Sequence, residues 1–247
     1  MAGQVQDKVC IVTGAGSGIG RATAVAFAQE GAKVVCLDRL ADTAGETAQS
    51  IRAAGGDAIP MQADVSDYDA ARRAVAGTAS HYGALDVLCN IAGIGKLKFD
   101  AEETPELWHR VISVNLTGTF FMSQHALPHL LARKGAIVNC SSRAGTDGIP
   151  WGAAYSASKG GVVALTRSMA MTHAYEGLRV NCVAPGPVNT GIVPDFIPPS
   201  DGDMRLMPFL MPLQRVAAPE ELAWAFVFLA SERAGYINGA ILPVDGG

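Results

Sequence analysis

The 247-residue chain has little that would tie it to a membrane, a polyanion or a metal. No uninterrupted apolar stretch approaches the roughly 18 residues that span a bilayer, and Met1 to Lys8 lead straight into a strand-like run without a signal-peptide core. A cytoplasmic protein is expected. Basic residues number 19 against 23 acidic ones, a net charge of −4, so there is no global attraction for nucleic acid or anionic lipid. The five cysteines, Cys10, Cys36, Cys89, Cys140 and Cys182, are odd in number and form no C-x-x-C pair. That argues against a disulfide framework and a zinc knuckle, and each reads as a small buried hydrophobe in an apolar run. Only His125 and His129 share i, i+4 spacing, with Pro128 between them and no acidic partner, so no metal is assigned.

What is present is core. Hydrophobic residues make up 49% and charged residues 17%, ample for a globular domain and too little charge for a disordered one. Strand-like runs near 8–13, 33–38, 57–63, 86–90, 135–141, 178–183 and 240–244 alternate with longer segments of helical period. This predicts an α/β fold of Rossmann type: a doubly wound, parallel, seven-stranded sheet with helices on both faces. No repeat, low-complexity tract or polar linker divides the chain, so residues 1–247 are read as one domain. The irregular part is about 184–215, which carries Pro185, Pro187, Pro194, Pro198, Pro199, Pro208 and Pro212 and reads as a substrate lid.

In such a sheet the ligand lies at the carboxyl ends of the strands. The first run is followed by Thr13-Gly14-Ala15-Gly16-Ser17-Gly18-Ile19-Gly20, the second ends in Asp38, and the third in Asp64-Val65. The fourth ends in Asn90-Ile91-Ala92-Gly93, the fifth in Ser141-Ser142, and the sixth runs into Pro185-Gly186. Small or polar residues at six successive strand ends imply one continuous crevice.

The glycines fit T-G-x-x-x-G-x-G rather than G-x-G-x-x-G, since Ile19 stands where the latter needs its third glycine. Gly14 allows the tight turn, Gly18 lets the backbone approach a pyrophosphate, and Gly20 lets the helix pack closely with its N-terminus toward the anion. No lysine follows to make a nucleoside-triphosphate loop. Asp38, 18 residues beyond Gly20, can accept both ribose hydroxyls of an adenosine, which favours NAD. The adjacent Arg39 keeps NADP open, because a guanidinium there can pair with a 2′-phosphate.

Tyr155-Ser156-Ala157-Ser158-Lys159 falls in a helical stretch, placing Tyr155 and Lys159 on one face. An ammonium about 4 Å from a phenol, at an effective dielectric of about 20, favours the phenolate by up to about 4 kcal/mol. The expectation is a tyrosine pKa lowered toward working pH, suited to general acid–base chemistry.

With these motifs in their order and spacing, from Lys8 to Gly247, the sequence resembles the short-chain dehydrogenase/reductase family. The resemblance adds Asn115, Ser142 thirteen residues before the tyrosine, Val188 and Thr190 after Pro185-Gly186, and the terminal Val244-Asp245-Gly246-Gly247. It implies a tetrad of Asn115, Ser142, Tyr155 and Lys159. In that family pattern Tyr155 exchanges a proton with the substrate oxygen and Ser142 hydrogen-bonds the same oxygen. Lys159 holds the nicotinamide ribose, and Asn115 anchors a water that connects Lys159 to solvent. It further implies a cofactor site made by Gly14, Ser17, Gly18, Ile19, Gly20, Asp38, Arg39, Asp64, Val65, Asn90, Ala92, Gly93, Tyr155, Lys159, Pro185, Gly186, Val188 and Thr190. Ile91 departs from the second asparagine often found there. Arg143 is a larger charge than the small residue often found after the serine, and reads as a surface ion pair or as a contact to a substrate carboxylate.

The expected activity is hydride transfer between NAD and a secondary alcohol or ketone. The rival readings are an NADPH-dependent 3-oxoacyl-[acyl-carrier-protein] reductase and a non-catalytic dinucleotide sensor. Ile192, Val193, Phe196, Ile197, Met204, Leu206, Met207, Phe209, Leu210 and Met211 in the lid, with Ile149 and Trp151, predict an apolar substrate pocket. The segment Glu221 to Ala230 is apolar almost all the way round, and with a last strand expected at the sheet edge it predicts a homo-oligomer. The family resemblance suggests a homotetramer, with a second contact through helices near 106–132 and 152–175.

Overall fold

The computed structural model describes residues 3–191, 193–206 and 215–247. Its centre is a parallel sheet of seven strands: β1 (Val9–Thr13), β2 (Lys33–Asp38), β3 (Asp57–Gln62), β4 (Val87–Asn90), β5 (Ala136–Cys140), β6 (Arg179–Pro185) and β7 (Ile241–Val244). They lie in the order β3-β2-β1-β4-β5-β6-β7. The chain order reverses between β1 and β4, so the loops leaving these two strands diverge and open a crevice at their carboxyl ends.

The strands are buried on both faces, and the pleat alone divides their side chains between two cores. Cys10 and Val12 of β1 and Val34 and Cys36 of β2 face one core, closed by α1 (Gly18–Gln29), α2 (Ala41–Ala53) and, farther along the chain, α8 (Pro219–Ala230). Val9, Ile11, Val35 and Leu37 face the other, closed by α3 (Tyr68–Tyr82), α5 (Gly118–Arg133) and α7 (Ala153–Thr172). The remaining helices, α4 (Pro105–Ile112) and the single turn α6 (Arg143–Thr146), flank the strand ends. All five cysteines are buried free thiols, and burial pushes Cys36 and Cys182 up to about 12, out of reach of thiolate chemistry at neutral pH.

Local sequence sets the helix ends. Asp67 accepts a hydrogen bond from the Ala70 N–H at the start of α3, and Gly83 closes that helix with a φ of +75°. Pro219 opens α8, where the Glu221 carboxylate accepts from the Ala218 N–H and pairs with Arg215. Between α4 and α5 the helix widens into a π-turn at Ser113–Thr117, and the extra residue accommodates Asn115. No helix among the described residues is long and apolar enough to cross a membrane.

The base of the 184–215 segment is stitched down by a parallel bridge, with the Asn189 N–H donating to Ala217 O and the Ala217 N–H to Pro187 O. A short 3-10 turn, Val193–Phe196, follows. Ile192, Met207, Phe209, Leu210 and Met211 of the expected lid lie outside the described residues, as does the side chain of Val193. Of the rest, Ile197, Met204 and Leu206 are solvent-exposed rather than turned inward. Among the described residues of this segment, Phe196 in the 3-10 turn packs back against Tyr155 on the cavity wall, a direction that hydrophobicity alone does not give.

Candidate active site

A cavity of about 640 Å³ runs along the carboxyl ends of the strands. It is lined by every residue of the expected tetrad and cofactor site except Asn90 and Asn115. Asn90 is buried in the sheet, where its amide donates to Ser123 (3.0 Å) and to Asn139 (2.9 Å), so its side chain joins β4 to α5 and β5. A strand-end asparagine can face either way, and the pleat places this one toward the core.

At one end the structure builds a cradle for an anion. Gly14 and Gly18 take positive φ values of 67° and 49°. A Cβ on Gly14 would lie 2.9 Å from the Ala92 Cα, and one on Gly20 would run into Gly14 O, so only glycines let these backbones approach. Helix α1 begins here with no acidic residue in its first turn, and the N-cap hydroxyl of Ser17 makes no capping bond. The first-turn N–H groups are thus free of side-chain caps and could receive a ligand of negative charge. Thr13, by contrast, is structural. Its hydroxyl accepts from the Ile91 and Ala92 N–H groups and ties the ends of β1 and β4 together.

Asp38 sits at the end of β2, where its two oxygens accept from the N–H groups of Gly16 and Leu40, each at 3.0 Å. These bonds fix the carboxylate while leaving it lone pairs for ribose hydroxyls. Arg39 is exposed beside it and pairs with no carboxylate among the described residues. Asp64 accepts from the Ser66 N–H and hydroxyl and from Arg110 at 3.2 Å. Partial burial pushes its carboxyl up, but Ser66 and the Arg110 guanidinium outweigh that and hold it below the usual carboxylate range. Arg110 lies on α4 with no motif around it, and sequence reading missed it.

At the other end Ser142, Tyr155 and Lys159 face the same cavity. The Ser142 hydroxyl oxygen accepts from the Ala144 N–H at 3.1 Å as the N-cap of α6, which leaves its hydrogen to donate into the cavity. Lys159 is 3% exposed, and its ammonium donates to Cys140 O at 2.8 Å. Asn115 does not reach the cavity. Its carboxamide accepts from the Ile94 N–H, donates to Ile94 O (both 2.8 Å) and donates to Ser158 (3.0 Å), clamping the loop after β4 to α7 one residue before Lys159. Gly93 lies between them, for a Cβ there would be 3.3 Å from Lys159 Nζ and 3.4 Å from Asn115 Oδ1. The partners Ile94, Ser158 and Cys140 O were not singled out from sequence, although Ser158 stands inside the Y-x-x-x-K motif.

The structure corrects the expected state of Tyr155. Burial pushes the phenol up, and the Lys159 ammonium and Ser142 hydroxyl pull it down without cancelling that, so its pKa lies above the ordinary tyrosine value. An ammonium about 4 Å from a solvated phenol would have the opposite net effect. Here Nζ is 5.8 Å from the ring centroid and is shared with Cys140 O.

Arg143 also lines the cavity, but its Nε donates to Asp147 (3.1 Å) and its Nη1 lies 3.6 Å from Asp245. Two carboxylates already neutralise it, which makes it an ion pair tying α6 to the residues after β7. Ile94, Leu97, Ile149, Pro150 and Phe196 supply an apolar wall. Trp151, expected in that wall, is absent from it. Its backbone takes a left-handed φ of 59°, and its half-buried indole lies against the 184–215 segment, within 2.9 Å of the place a Cβ on Gly202 would occupy.

Comparison with known proteins decides the family. A family model described as Enoyl-(Acyl carrier protein) reductase matches residues 14–247. Cis-4-hydroxycyclohexanecarboxylate dehydrogenase of Sinomonas cyclohexanicum is 44% identical over 98% of this chain and 96% of its own. The chain belongs to the short-chain dehydrogenase/reductase family. Meso-2,3-butanediol dehydrogenase of Serratia marcescens is 42% identical, over 98% of this chain and 94% of its own. Among short-chain dehydrogenase/reductase structures, that of 3-ketoacyl-(acyl-carrier-protein) reductase from Brucella melitensis, complexed with NADH, superposes with a TM-score of 0.90 at 34% identity and covers 98% of both chains. The protein is thus an oxidoreductase of this family, acting on CH-OH groups or the corresponding carbonyls.

The shifted phenol gives a test that needs no substrate. Ultraviolet difference titration of wild type against Tyr155→Phe should show the Tyr155 phenolate appearing above the ordinary tyrosine range, and Lys159→Met should move it higher still. A Tyr155 signal below that range would contradict the balance of burial over charge.

Proposed function

We propose that the protein interconverts a secondary alcohol of largely apolar character and its ketone with NAD, Tyr155 acting as general acid/base. The observation that carries this reading is the meeting of Ser142, Tyr155 and Lys159 on one wall of the cavity whose far end holds the glycine cradle and Asp38. Bound NAD supplies the hydride acceptor. Gly14 to Gly20 would hold its pyrophosphate, Asp38 its adenosine ribose, Asp64 and Val65 its adenine end, and Pro185, Gly186, Val188 and Thr190 its nicotinamide end. Lys159 would hold the second ribose while its charge favours the phenolate. Tyr155 removes the carbinol proton during oxidation and returns it during reduction, and Ser142 donates to the same oxygen. Asn115 positions Lys159 through Ser158 and the loop after β4.

Two similar relatives carry the names of alcohol dehydrogenases, which supports the alcohol reading. The rival reading, a 3-oxoacyl reductase using NADPH, has the structural relative's name in its favour and Asp38 against it. A non-catalytic sensor has no use for Tyr155 and Lys159 together. A screen of secondary alcohols with NAD, followed at the NADH absorbance, tests the reading. Turnover is expected on apolar alcohols and should fall about 10²-fold or more in Tyr155→Phe, with NADH affinity nearly unchanged. Turnover of sugars or phosphorylated alcohols alone, or a Tyr155→Phe variant retaining about a tenth of the rate, would overturn it.

Cofactor choice rests on the charge of Asp38. Wild type should prefer NAD, and Asp38→Ala, with Arg39 left to meet a 2′-phosphate, should move the ratio of kcat/KM toward NADP by about tenfold or more. Equal efficiency with both cofactors in the wild type would contradict this.

The same reading includes a homotetramer. Helix α8 turns Leu222, Ala223, Phe226, Val227 and Leu229 inward, yet leaves Trp224 46% and Phe228 36% exposed, and β7 forms an open edge of the sheet. Trp108 on α4 and Phe120 on α5 are exposed on the helices expected to make the second contact. Trp224→Glu should shift the assembly to smaller species and lower its melting temperature. A monomeric wild type at micromolar concentration, read by light scattering, would refute the assembly.

A further inference from the structure

The catalytic tyrosine has a neighbour that no motif predicts. Phe196, from the 3-10 turn after β6, stands edge-on to Tyr155, with ring centroids 4.9 Å apart and planes at 81°. The turn is held from below, because the Leu97 N–H donates to Asp195 O at 3.0 Å and Leu97 itself is buried. The next residue, Lys98, donates its N–H to Trp151 O at 2.7 Å, so the floor under the turn is also tied to the strained residue ahead of α7.

Residue 95 is what allows the two rings to meet. Gly95 is buried, and a Cβ placed on it would lie 2.5 and 2.8 Å from carbons of the Phe196 ring and 2.8 Å from Tyr155 Cδ2. All three are below any contact a real side chain shows. Gly95 is not among the glycines with positive φ, so alanine would suit its backbone and the constraint is space alone. A methyl there must displace one ring or the other.

We propose that Phe196 is the specificity-determining roof over the reacting carbon, seated by the absence of a side chain at residue 95, and that it restricts this enzyme to compact secondary alcohols. The inference rests on the alcohol reading above and names the size class that reading leaves open. Aromatic edge-to-face packing fixes the ring at the height of the tyrosine, so a substrate must fit beneath Phe196 to bring its carbinol oxygen to Tyr155. Groups that bulge on both sides of the carbinol carbon meet the ring. Pockets discriminate by such contacts through differences in kcat/KM, at about 10-fold to 200-fold per misfitting group.

The test compares cyclohexanol, which is compact, with diphenylmethanol, which is bulky on both sides, in wild type, Phe196→Ala, Gly95→Ala and the double variant. Phe196→Ala should move the ratio of kcat/KM toward diphenylmethanol by about tenfold or more, mainly through KM. Gly95→Ala should lower kcat/KM for cyclohexanol by about tenfold or more with NADH affinity unchanged, and Phe196→Ala in that background should restore it. An unmoved ratio, or a double variant as impaired as Gly95→Ala alone, would overturn the proposal, the latter by assigning the clash to Tyr155. The melting temperatures give the same cycle without substrate. Gly95→Ala should lower the value by about 2 to 4 °C, and removal of the Phe196 ring should recover it rather than add to the loss. Additive losses would overturn the seating. If wild type oxidises neither alcohol, the alcohol reading fails, while the thermal cycle still decides whether Gly95 seats Phe196.

Discussion

Close approach where a methyl group would not fit recurs along the whole cavity, and the remaining geometry depends on it. Gly14 meets Ala92 where β1 and β4 diverge, Gly20 packs on the Gly14 carbonyl, Gly93 fills the gap between Lys159 and Asn115, and Gly95 leaves room for Phe196 against Tyr155. These contacts pack the segments after β1, β4 and β6 against one another and against α7 without long side chains between them. The first two shape an anion cradle at the start of α1. The latter two set the position of the lysine and of the roof. A parallel sheet offers the crevice, and the missing side chains decide how narrow it is.

In the proposed mechanism the chemistry within that crevice depends on a competition at Tyr155. Burial of the ring disfavours the phenolate, and Lys159 with Ser142 favours it. Burial outweighs them and raises the phenol pKa, so under the proposed mechanism alcohol oxidation, which needs the phenolate, should gain as pH rises. Ketone reduction, which needs the phenol, should by the same mechanism gain as pH falls through that range. The bond from the Lys159 ammonium to the Cys140 carbonyl holds it in place beside Gly93.

Much of this was legible in the sequence because strand ends carry it directly. The seven strands fall within two residues of the runs read from alternating periods, and Asp38, Asp64, Ser142 and Pro185 stand at their carboxyl ends as expected. What was not legible depends on contacts between residues far apart in the chain. The side of the sheet that Asn90 faces is fixed by Ser123 and Asn139, and the place of Trp151 by its contact with Gly202, more than fifty residues on. The sign of the Tyr155 shift depends on burial that no i, i+4 spacing reveals. Phe196 could be named as one apolar residue of a lid, but not separated from Ile197 beside it, which points to solvent. Arg110 carries no signal at all until α4 brings it to Asp64.

The central claim is direct hydride transfer from a carbinol carbon under the control of Tyr155. Its most direct measurement is to supply NAD with cyclohexanol and with meso-2,3-butanediol, each deuterated at the carbinol carbon, and to analyse the reduced cofactor by mass spectrometry. Deuterium should appear in the reduced cofactor, transferred without exchange with water, and the transfer should vanish in Tyr155→Phe. Reduced cofactor without deuterium, or transfer that persists at the wild-type rate in the phenylalanine variant, would contradict the mechanism.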